Sequence, residues 1–316
     1  MSILIVGVLG YIGSHVAITL LQRQYNVVGI DNLCNTSIDV LDKFYKITNK
    51  TITFYPCDMN NADALRDVFS KHTIDKVIHL AALKSVRQSI DHPLDYYDNN
   101  VSGTITLLKV MNEFRVNTIV FSSTAAVYQP TESIITEDSS TCPISPYGHS
   151  KLIVEDMLKH CRFNVVILRY FNPLGNHASG LLMDSKGENI MPMICQSVKN
   201  NTLFNVFGGH PTSDGTCIRD YIHVMDLAEA HVHVLNLTGY HVYNVGTNVG
   251  TSVLELINTM SFVLKKPIDY TVVGPRAGDI TNLVCSADKI QRETGWQAIR
   301  NVTSMCRDVA TAMALQ

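Results

Sequence analysis

The chain reads as an α/β protein, a doubly wound parallel sheet carrying a smaller α/β domain. Three observations predict this. Residues 2–31 run as an apolar stretch, a glycine-rich turn, an amphipathic stretch and a second apolar stretch, the pattern of a strand–loop–helix–strand unit. Apolar runs of strand length then alternate with helix-like stretches as far as residue 172, as parallel strands joined by helical crossovers do. Beyond residue 173, glycines, prolines and polar stretches interrupt shorter elements. The expected division is 1–172 for the sheet domain and 173–316 for most of a second, substrate-binding domain, with a return to the sheet near 220–246.

The first unit is Ser2 to Val6, then Gly7-Val-Leu-Gly10-Tyr-Ile-Gly13, a helix from Ser14 to Arg23, and the strand Asn26 to Ile30 closed by Asp31. Glycines at this spacing let a backbone approach a pyrophosphate, and a helix N-terminus adds N–H groups and partial positive charge. Asp31 stands 18 residues past Gly13, where a carboxylate accepts from ribose hydroxyls. Its charge repels a 2′-phosphate, and Asn32-Leu-Cys-Asn35 brings no arginine to neutralise one, so the expected dinucleotide is NAD (Rossmann type) rather than NADP.

A helix-like stretch around Val40 to Lys46 leads to a strand, Thr51 to Met59, that carries Asp58 at its end. Asp58 suits two tasks, accepting from an adenine amino group or capping the helix from Asn61 to Phe69. Lys76 to Ala82 is an apolar fourth strand, as strands buried on both faces are. The small Ala81 and Ala82 leave room for a cofactor at its mouth, and Lys84 follows. Tyr96 to Arg115 is expected as one long helix, and Asn117 to Ser123 as a fifth strand running into Thr124-Ala-Ala-Val-Tyr128.

The next helix opens at Pro143-Ile-Ser-Pro-Tyr147-Gly-His-Ser-Lys151 and continues to Cys161. Tyr147 and Lys151 are i and i+4, one turn apart on one face. An ammonium beside a tyrosine favours phenolate and is expected to lower its pKa towards the working range of a base. Thr124 offers a hydroxyl to the same proton path. His149 is expected at the surface, without a role.

Composition narrows the rest. A chain of 316 residues, 46 % hydrophobic and 17 % charged, has enough apolar content for a sizeable core. Its formal net charge of −3 points away from nucleic acid and anionic membrane as partners. Eight cysteines occur singly, without a CxxC pair, so neither a metal site nor a disulfide framework is expected. No bilayer-length apolar run and no cleavable leader stand out, and the expected location is cytoplasmic.

The glycine loop with its strand-end acid, Ser122-Ser-Thr-Ala-Ala-Val-Tyr128 and Tyr147-Gly-His-Ser-Lys151 resemble the extended short-chain dehydrogenase/reductase superfamily. Asp98-Asn-Asn100, Leu168-Arg-Tyr-Phe-Asn172-Pro, Asn189-Ile-Met-Pro192, the long stretch Asp214 to Leu227, and Pro275-Arg276-Ala-Gly-Asp279 make the resemblance specific to the UDP-glucose 4-epimerase family, over nearly the whole chain. Two departures stand out. The family's usual Gly-Gly-Ala-Gly is Gly7-Val8-Leu9-Gly10, which is expected to put bulkier side chains near the pyrophosphate, and the usual Val-Tyr-Gly is Val127-Tyr128-Gln129.

The resemblance implies NAD held permanently and epimerisation at C4 of a UDP-hexose through a 4-keto sugar, interconverting UDP-glucose and UDP-galactose. It makes Tyr147 the base, Lys151 its partner and Thr124 a hydrogen-bond partner of the sugar. It adds Gly7, Gly10, Tyr11, Ile12, Gly13, Asp31, Asn32 and Asn35 as dinucleotide contacts. Asp58, Met59, Ala81, Lys84, Asn99, Tyr147, Lys151 and Tyr170 complete that set. For the UDP-sugar it implies Lys84, Thr124, Tyr147, Asn172, Asn189, Arg219 and Arg276, with Phe207 beside the uracil, Asp279 near its ribose and Leu283 bordering the hexose. A homodimer through helices near Asn100 and Leu152 is also implied. Nucleotide-sugar 4,6-dehydratases carry an acid pair directly after the strand-end threonine, where this chain has Ala125-Ala126. An N-acetylglucosamine 4-epimerase or a dual-specificity enzyme, another NAD-dependent nucleotide-sugar enzyme, and a non-catalytic NAD-binding sensor remain as other readings.

Overall fold

A computed structural model describes residues 1–184, 189–276 and 278–314; Ala277 of the Pro275–Asp279 motif lies outside the described residues. In chain order the first elements are β1 (Ser2–Val6), α1 (Tyr11–Gln22), β2 (Asn26–Asp31), α2 (Val40–Thr48), β3 (Thr53–Pro56), α3 (Ala62–Lys71) and β4 (Lys76–His79). There follow α4 (Val86–Asp91), α5 (Pro93–Tyr97), a π-helical turn (Asp98–Ser102), α6 (Gly103–Glu113), β5 (Thr118–Thr124), α7 (Pro146–Lys159), β6 (Asn164–Tyr170) and β7 (Asn172–Leu174). The remainder is α8 (Ile190–Asn200), β8 (Phe204–Phe207), β9 (Ile218–His223), α9 (Val224–Val234), β10 (Tyr240–Val245) and β11 (Gly250–Ser252). Last come α10 (Val253–Leu264), β12 (Tyr270–Val273), β13 (Asn282–Leu283), α11 (Asp288–Thr294) and α12 (Val302–Ala314).

Seven strands form the central sheet in the order β10-β6-β5-β4-β1-β2-β3. The pairs β1–β2, β1–β4, β2–β3 and β4–β5 are parallel, so their C-terminal ends lie along one edge. The order reverses between β1 and β4, the switch point where ligands of such sheets bind. Ile3, Leu4 and Ile5 are fully buried, as central parallel strands covered on both faces must be. Smaller sheets join β11, β9, β13 and β7, and separately β12 and β8.

The chain forms two compact units. One comprises 1–129, 140–169 and 228–243; the other comprises 130–139, 170–227 and 244–316. The first has its core along the sheet, from Leu4 and Val28 to Phe121 and Val165. The second packs α8, α10 and α12 around β8 and β9 through Ile194, Val206, Tyr221, Leu256, Met260 and Met305. Among the described residues no helix is long and apolar enough to cross a membrane.

Two expectations change. The helix foreseen over Tyr96–Arg115 is α5, a π turn and α6, because the π turn lets Asn100 enter the core: it is buried, accepts from Leu83 N at 2.9 Å and donates to Ser150 Oγ at 2.9 Å. Val8 and Leu9, foreseen as bulkier side chains near the pyrophosphate, face inward, fully buried and 3 % exposed. Val8 occupies the space that glycine leaves at Gly29, where an added Cβ would meet Val8 Cγ1 at 2.6 Å.

The loop between β1 and α1 depends on close backbone approach. Gly7 has φ +86° and would place a Cβ 2.7 Å from Ala81 N, while a Cβ on Gly13 would lie 2.1 Å from Gly7 O. Gly13→Ala is therefore expected to destabilise the protein by at least the ~1–3 kcal/mol typical of overpacking, read as the shift in denaturant unfolding. Gly274→Ala, where nothing lies within 4 Å of the added carbon, should stay within ~0.5 kcal/mol of wild type. Equal effects of the two substitutions would contradict this account of the loop.

Candidate active site

At the start of α1, Gly10 caps the helix without a side chain, and the first turn holds no acidic residue. Nothing in that turn neutralises the positive end of the helix, which suits it to an anion; the amides of Gly7 through Gly10 are themselves bonded to Ile30 O, Asp31 Oδ2 and Gly7 O. Tyr11 and Ile12 are partly buried, and Tyr11 O accepts from Ser14 Oγ at 3.0 Å. Asp31 is buried at the end of β2; it accepts from Leu9 N at 3.1 Å, Leu33 N at 3.0 Å and Thr36 Oγ1 at 2.7 Å. Those bonds hold Leu33 at φ 61° and leave about one of a carboxylate's four acceptor positions for a ribose hydroxyl.

Asp58 accepts from Asn32 Nδ2 at 2.9 Å and Asn60 N at 2.8 Å; these bonds draw its carboxyl below the usual range even though burial opposes them. The cap of α3 is Asn61, whose side chain accepts from Ala64 N, so Asp58 does not cap that helix. Met59 is buried with its side chain against Gly103, where an added Cβ would meet Met59 Cε at 2.9 Å; what it offers a ligand is backbone. Asn35 and Lys84 are exposed, Ala81 is partly buried beside Gly7, and Asn99 donates to Asn100 Oδ1 at 2.9 Å.

Tyr147 and Lys151 sit in the first two turns of α7. Ser145 accepts from Gly148 N at 3.1 Å and Pro146 occupies the first turn, which starts the helix at this point. Thr124 ends β5 and hydrogen-bonds Tyr147. Lys151 is buried, donates to Ser122 O at 2.7 Å and lies 4.8 Å from the Phe121 ring centre. Burial pushes its ammonium down to about 7, with Glu155 opposing. Burial pushes the Tyr147 phenol up to about 12, and the Thr124 bond pulls it back only in part. This corrects the expectation of a lowered tyrosine pKa, because desolvation outweighs every stabilisation of the phenolate that the protein itself supplies. His149 is exposed, as expected.

Residues that no local pattern announced support this group. Glu155, one turn after Lys151, is buried and accepts from Arg169 Nη2 at 2.6 Å and from Ser123 Oγ. Arg169 also donates to Tyr128 Oη at 2.9 Å. The i+4 spacing of Glu155 from Lys151 is visible in sequence; its pairing with β6 is not. His79, fully enclosed, bonds Thr104 Oγ1 at 2.8 Å, and burial holds it neutral, down to about 3.

In the second unit Phe207, Arg219, Arg276, Asp279 and Leu283 converge. The Arg276 guanidinium lies 5.2 Å from the Phe207 ring centre and donates to Asp279 Oδ1 at 2.6 Å. Arg219 Nη1 donates to Ile280 O at 2.6 Å, and Leu283 pairs with Arg219 in parallel register. Asn172 Oδ1, on β7, is buried and has no hydrogen-bond partner among the described residues. Asn189 precedes α8, and its side chain donates to Asp184 Oδ2 at 2.7 Å. Tyr170, at the end of β6, is buried. The other charged residues of the 214–227 stretch serve structure. Asp220 accepts from Thr247 N at 2.7 Å and Asn248 N at 3.1 Å; Asp226 accepts from Ile299 N at 3.1 Å, Arg300 N at 2.9 Å and the Arg300 guanidinium.

The folded pKa of Lys151 lies below its unfolded value near ~10.4, so the unfolded chain binds more protons between those limits and stability rises with pH there. The stability of ligand-free wild type relative to Lys151→Met should therefore increase as pH rises from about 7 to about 10. Denaturant unfolding at several pH values measures this, and parallel curves for the two proteins would refute it.

A family model described as GDP-mannose 4,6 dehydratase matches residues 4–309. The chain is 43 % identical over 323 aligned residues to the UDP-glucose 4-epimerase of Bacillus subtilis, covering 98 % of this chain and 95 % of that one. Among solved structures it resembles the UDP-glucose 4-epimerase of Stenotrophomonas maltophila with bound NAD and formylated UDP-arabinopyranose, at TM-score 0.96 and 38 % identity, covering 100 % of this chain and 98 % of that one. The enzyme of Bifidobacterium longum in complex with NAD⁺ and UDP matches at TM-score 0.95 and 38 % identity, with the same coverage. Ala125 and Ala126 follow the strand-end threonine, and the likeness to epimerases runs nearly end to end; the chain belongs to the UDP-glucose 4-epimerase family of extended short-chain dehydrogenases/reductases.

Proposed function

We propose that this protein is an NAD-dependent isomerase that epimerises C4 of a UDP-hexose, interconverting UDP-glucose and UDP-galactose in galactose metabolism through a 4-keto sugar. The observation that carries the reading is the trio at the end of β5: Tyr147 bonded to Thr124 and one turn from the buried Lys151. The rival of a non-catalytic NAD-binding sensor has no use for an intact trio.

The first unit fits NAD at the uncapped start of α1, the glycine loop and Asp31. Gly7, Gly10, Tyr11, Ile12 and Gly13 serve the pyrophosphate and its neighbours; Asp31, Asn32 and Asn35 serve the adenosine ribose side; Asp58 and Met59 serve the adenine. Ala81, Lys84, Asn99, Lys151 and Tyr170 complete the set. When bound, NAD⁺ supplies the two-electron acceptor for C4 and a positive charge that favours phenolate. Tyr147 Oη accepts the proton of the sugar 4-OH and later returns it. Thr124 hydrogen-bonds O4, Lys151 holds the nicotinamide ribose, and its ammonium stabilises the phenolate. Burial holds the Tyr147 phenol up, and the positive charge that NAD⁺ would supply favours the phenolate against it.

For the UDP portion we assign Arg219 and Arg276 to the diphosphate, whose oxygens match the guanidinium fork. Phe207 stacks on the uracil and Asp279 accepts from its ribose, while Asn172 and Asn189 hydrogen-bond the nucleotide. The buried, unpaired Asn172 Oδ1 suits a group that awaits a ligand. A homodimer through the helices near Asn100 and Leu152 completes the proposal: Val86, Ile90 and Leu94 are 47 %, 63 % and 78 % exposed on α4 and α5, which pack with α7. We place it in the cytoplasm.

Incubating purified protein with UDP-galactose and detecting UDP-glucose tests the activity directly. Tyr147→Phe should lower kcat by ~10²–10⁴-fold with UDP-sugar affinity little changed. A Tyr147→Phe protein that keeps most of its rate excludes the proton path described.

Leu283 is partly buried beside Arg219, where a tyrosine is associated with epimerases confined to glucose and galactose and a small residue with those that admit N-acetylated sugars. Leucine is intermediate, and an apolar pocket discriminates by only ~1–3 kcal/mol per misfitted small group. UDP-N-acetylglucosamine is expected to turn over more slowly than UDP-glucose, and Leu283→Tyr to remove that side activity selectively. The ratio of kcat/KM values for the two sugars decides it; an unchanged ratio in Leu283→Tyr removes Leu283 as the gate.

A further inference from the structure

His210, Cys217 and Asp279 meet in the second unit, and the epimerase chemistry uses neither of the first two. Their nitrogen, sulfur and oxygen atoms all lie within 4.8 Å of one another, with Cys217 Sγ and His210 Nε2 3.1 Å apart. Cys217 is buried and the other two are partly buried. The backbone around them is tied down: His210 N donates to Gly215 O at 3.0 Å, Asp279 N to Arg276 O at 3.1 Å, and Ile218 N to Thr281 O at 2.8 Å. His210 Nδ1 faces Thr281 Oγ1 at 3.4 Å, leaving Nε2 turned to the thiol. A ring whose second nitrogen is engaged by a hydroxyl is oriented as metal-binding histidines are.

We propose that His210 Nε2, Cys217 Sγ and a carboxylate oxygen of Asp279 form a site for a borderline-soft divalent cation, zinc above all, with the fourth position open to water. The donor set selects the class: a thiolate and an imidazole suit Zn²⁺ and its softer congener Cd²⁺, whereas Mg²⁺ and Ca²⁺ require oxygen ligands. Tetrahedral Zn–S and Zn–N bonds place sulfur and nitrogen about 3.5 Å apart, so that pair needs a shift of only a few tenths of an ångström, and the Asp279 oxygen, within 4.8 Å of both, closes by up to about an ångström. On binding, the Cys217 S–H bond breaks, the S–metal bond forms and the proton leaves to solvent; His210 coordinates as the neutral imidazole. No electrons change hands.

Asp279 also accepts from Arg276 at 3.1 and 2.6 Å through Oδ1. A cation on that carboxylate competes with the guanidinium. Given the assignment of Asp279 and Arg276 to the uridine diphosphate, an occupied site weakens nucleotide binding. This consequence rests on the proposed function; the site itself does not. Arg219 and Arg276 nearby oppose a second cation, so binding is expected to be weaker than in closed four-ligand sites.

The experiment is a Cd²⁺ titration of the intact protein, read by the thiolate-to-cadmium absorption band, with Zn²⁺ binding followed by calorimetry. Wild type should take up one equivalent with the band. Cys217→Ser should lose the band and His210→Gln should bind Zn²⁺ at least ~10-fold more weakly, both with metal-free epimerase activity retained. Cys217→Ala is the second variant should the serine prove unstable. Cys34→Ser and Cys142→Ser, at exposed positions, should behave as wild type. A wild type without the band, a band that survives in Cys217→Ser and Cys217→Ala, or a His210→Gln protein with wild-type affinity would each overturn the proposal. UDP is then added: lowered Zn²⁺ affinity supports both the site and the placement of Asp279. Cys217-dependent binding that ignores UDP supports the site and counts against the Asp279 assignment alone.

Discussion

Lys151 carries a charge into a place with almost no water, and much of the first unit answers to that. Removing an ammonium from solvent is expensive unless oxygen or π electrons replace its hydration. Here the replacement is the Ser122 carbonyl at the end of β5 and the face of Phe121 beside it. Glu155, one turn further along α7, adds an opposite charge that is itself held by Arg169 from β6. The helix is thereby fixed to the carboxyl ends of two strands. Its start follows from the Ser145 cap, and its approach is set by Gly148, where an added Cβ would lie 2.3 Å from Ala126 O. Tyr147 is where it is because everything beneath it is constrained.

The π turn before α6 belongs to the same account. One extra residue in the turn carries Asn100 inward to bond the backbone of Leu83 and the hydroxyl of Ser150. The loop after β4 and the middle of α7 are thus tied through one amide. In the second unit the acids divide by burial. Asp220 and Asp226, almost without solvent, close loops onto backbone amides; Asp279, at the end of a turn, faces a guanidinium.

Several features were legible from residue order because they are local. The alternation of apolar and amphipathic runs follows from strand and helix periodicity, and the glycine loop with Asp31 follows from what a tight turn before a helix requires. The i, i+4 relation of Tyr147 and Lys151 is helix geometry. The inward turn of Val8 was not legible, since it depends on Gly29 in the neighbouring strand. The helix cap at Asn61 in place of Asp58 was equally hidden, because Asn32, far away in sequence, claims that carboxylate.

By itself the sequence determined the alternation of strands and helices, the glycine loop and the one-turn spacing of Tyr147 and Lys151, because each rests on spacing within a few residues or on a run of apolar side chains. Only the tertiary structure brought Thr124 to Tyr147 and decided how Tyr147 and Lys151 hold their protons. Desolvation is a property of the whole surroundings, and it drives the phenol up and the ammonium down whatever their spacing along the helix. The Glu155–Arg169 pair and the meeting of His210, Cys217 and Asp279 were decided there too. Each joins separate segments, and no local pattern encodes a distance across a fold.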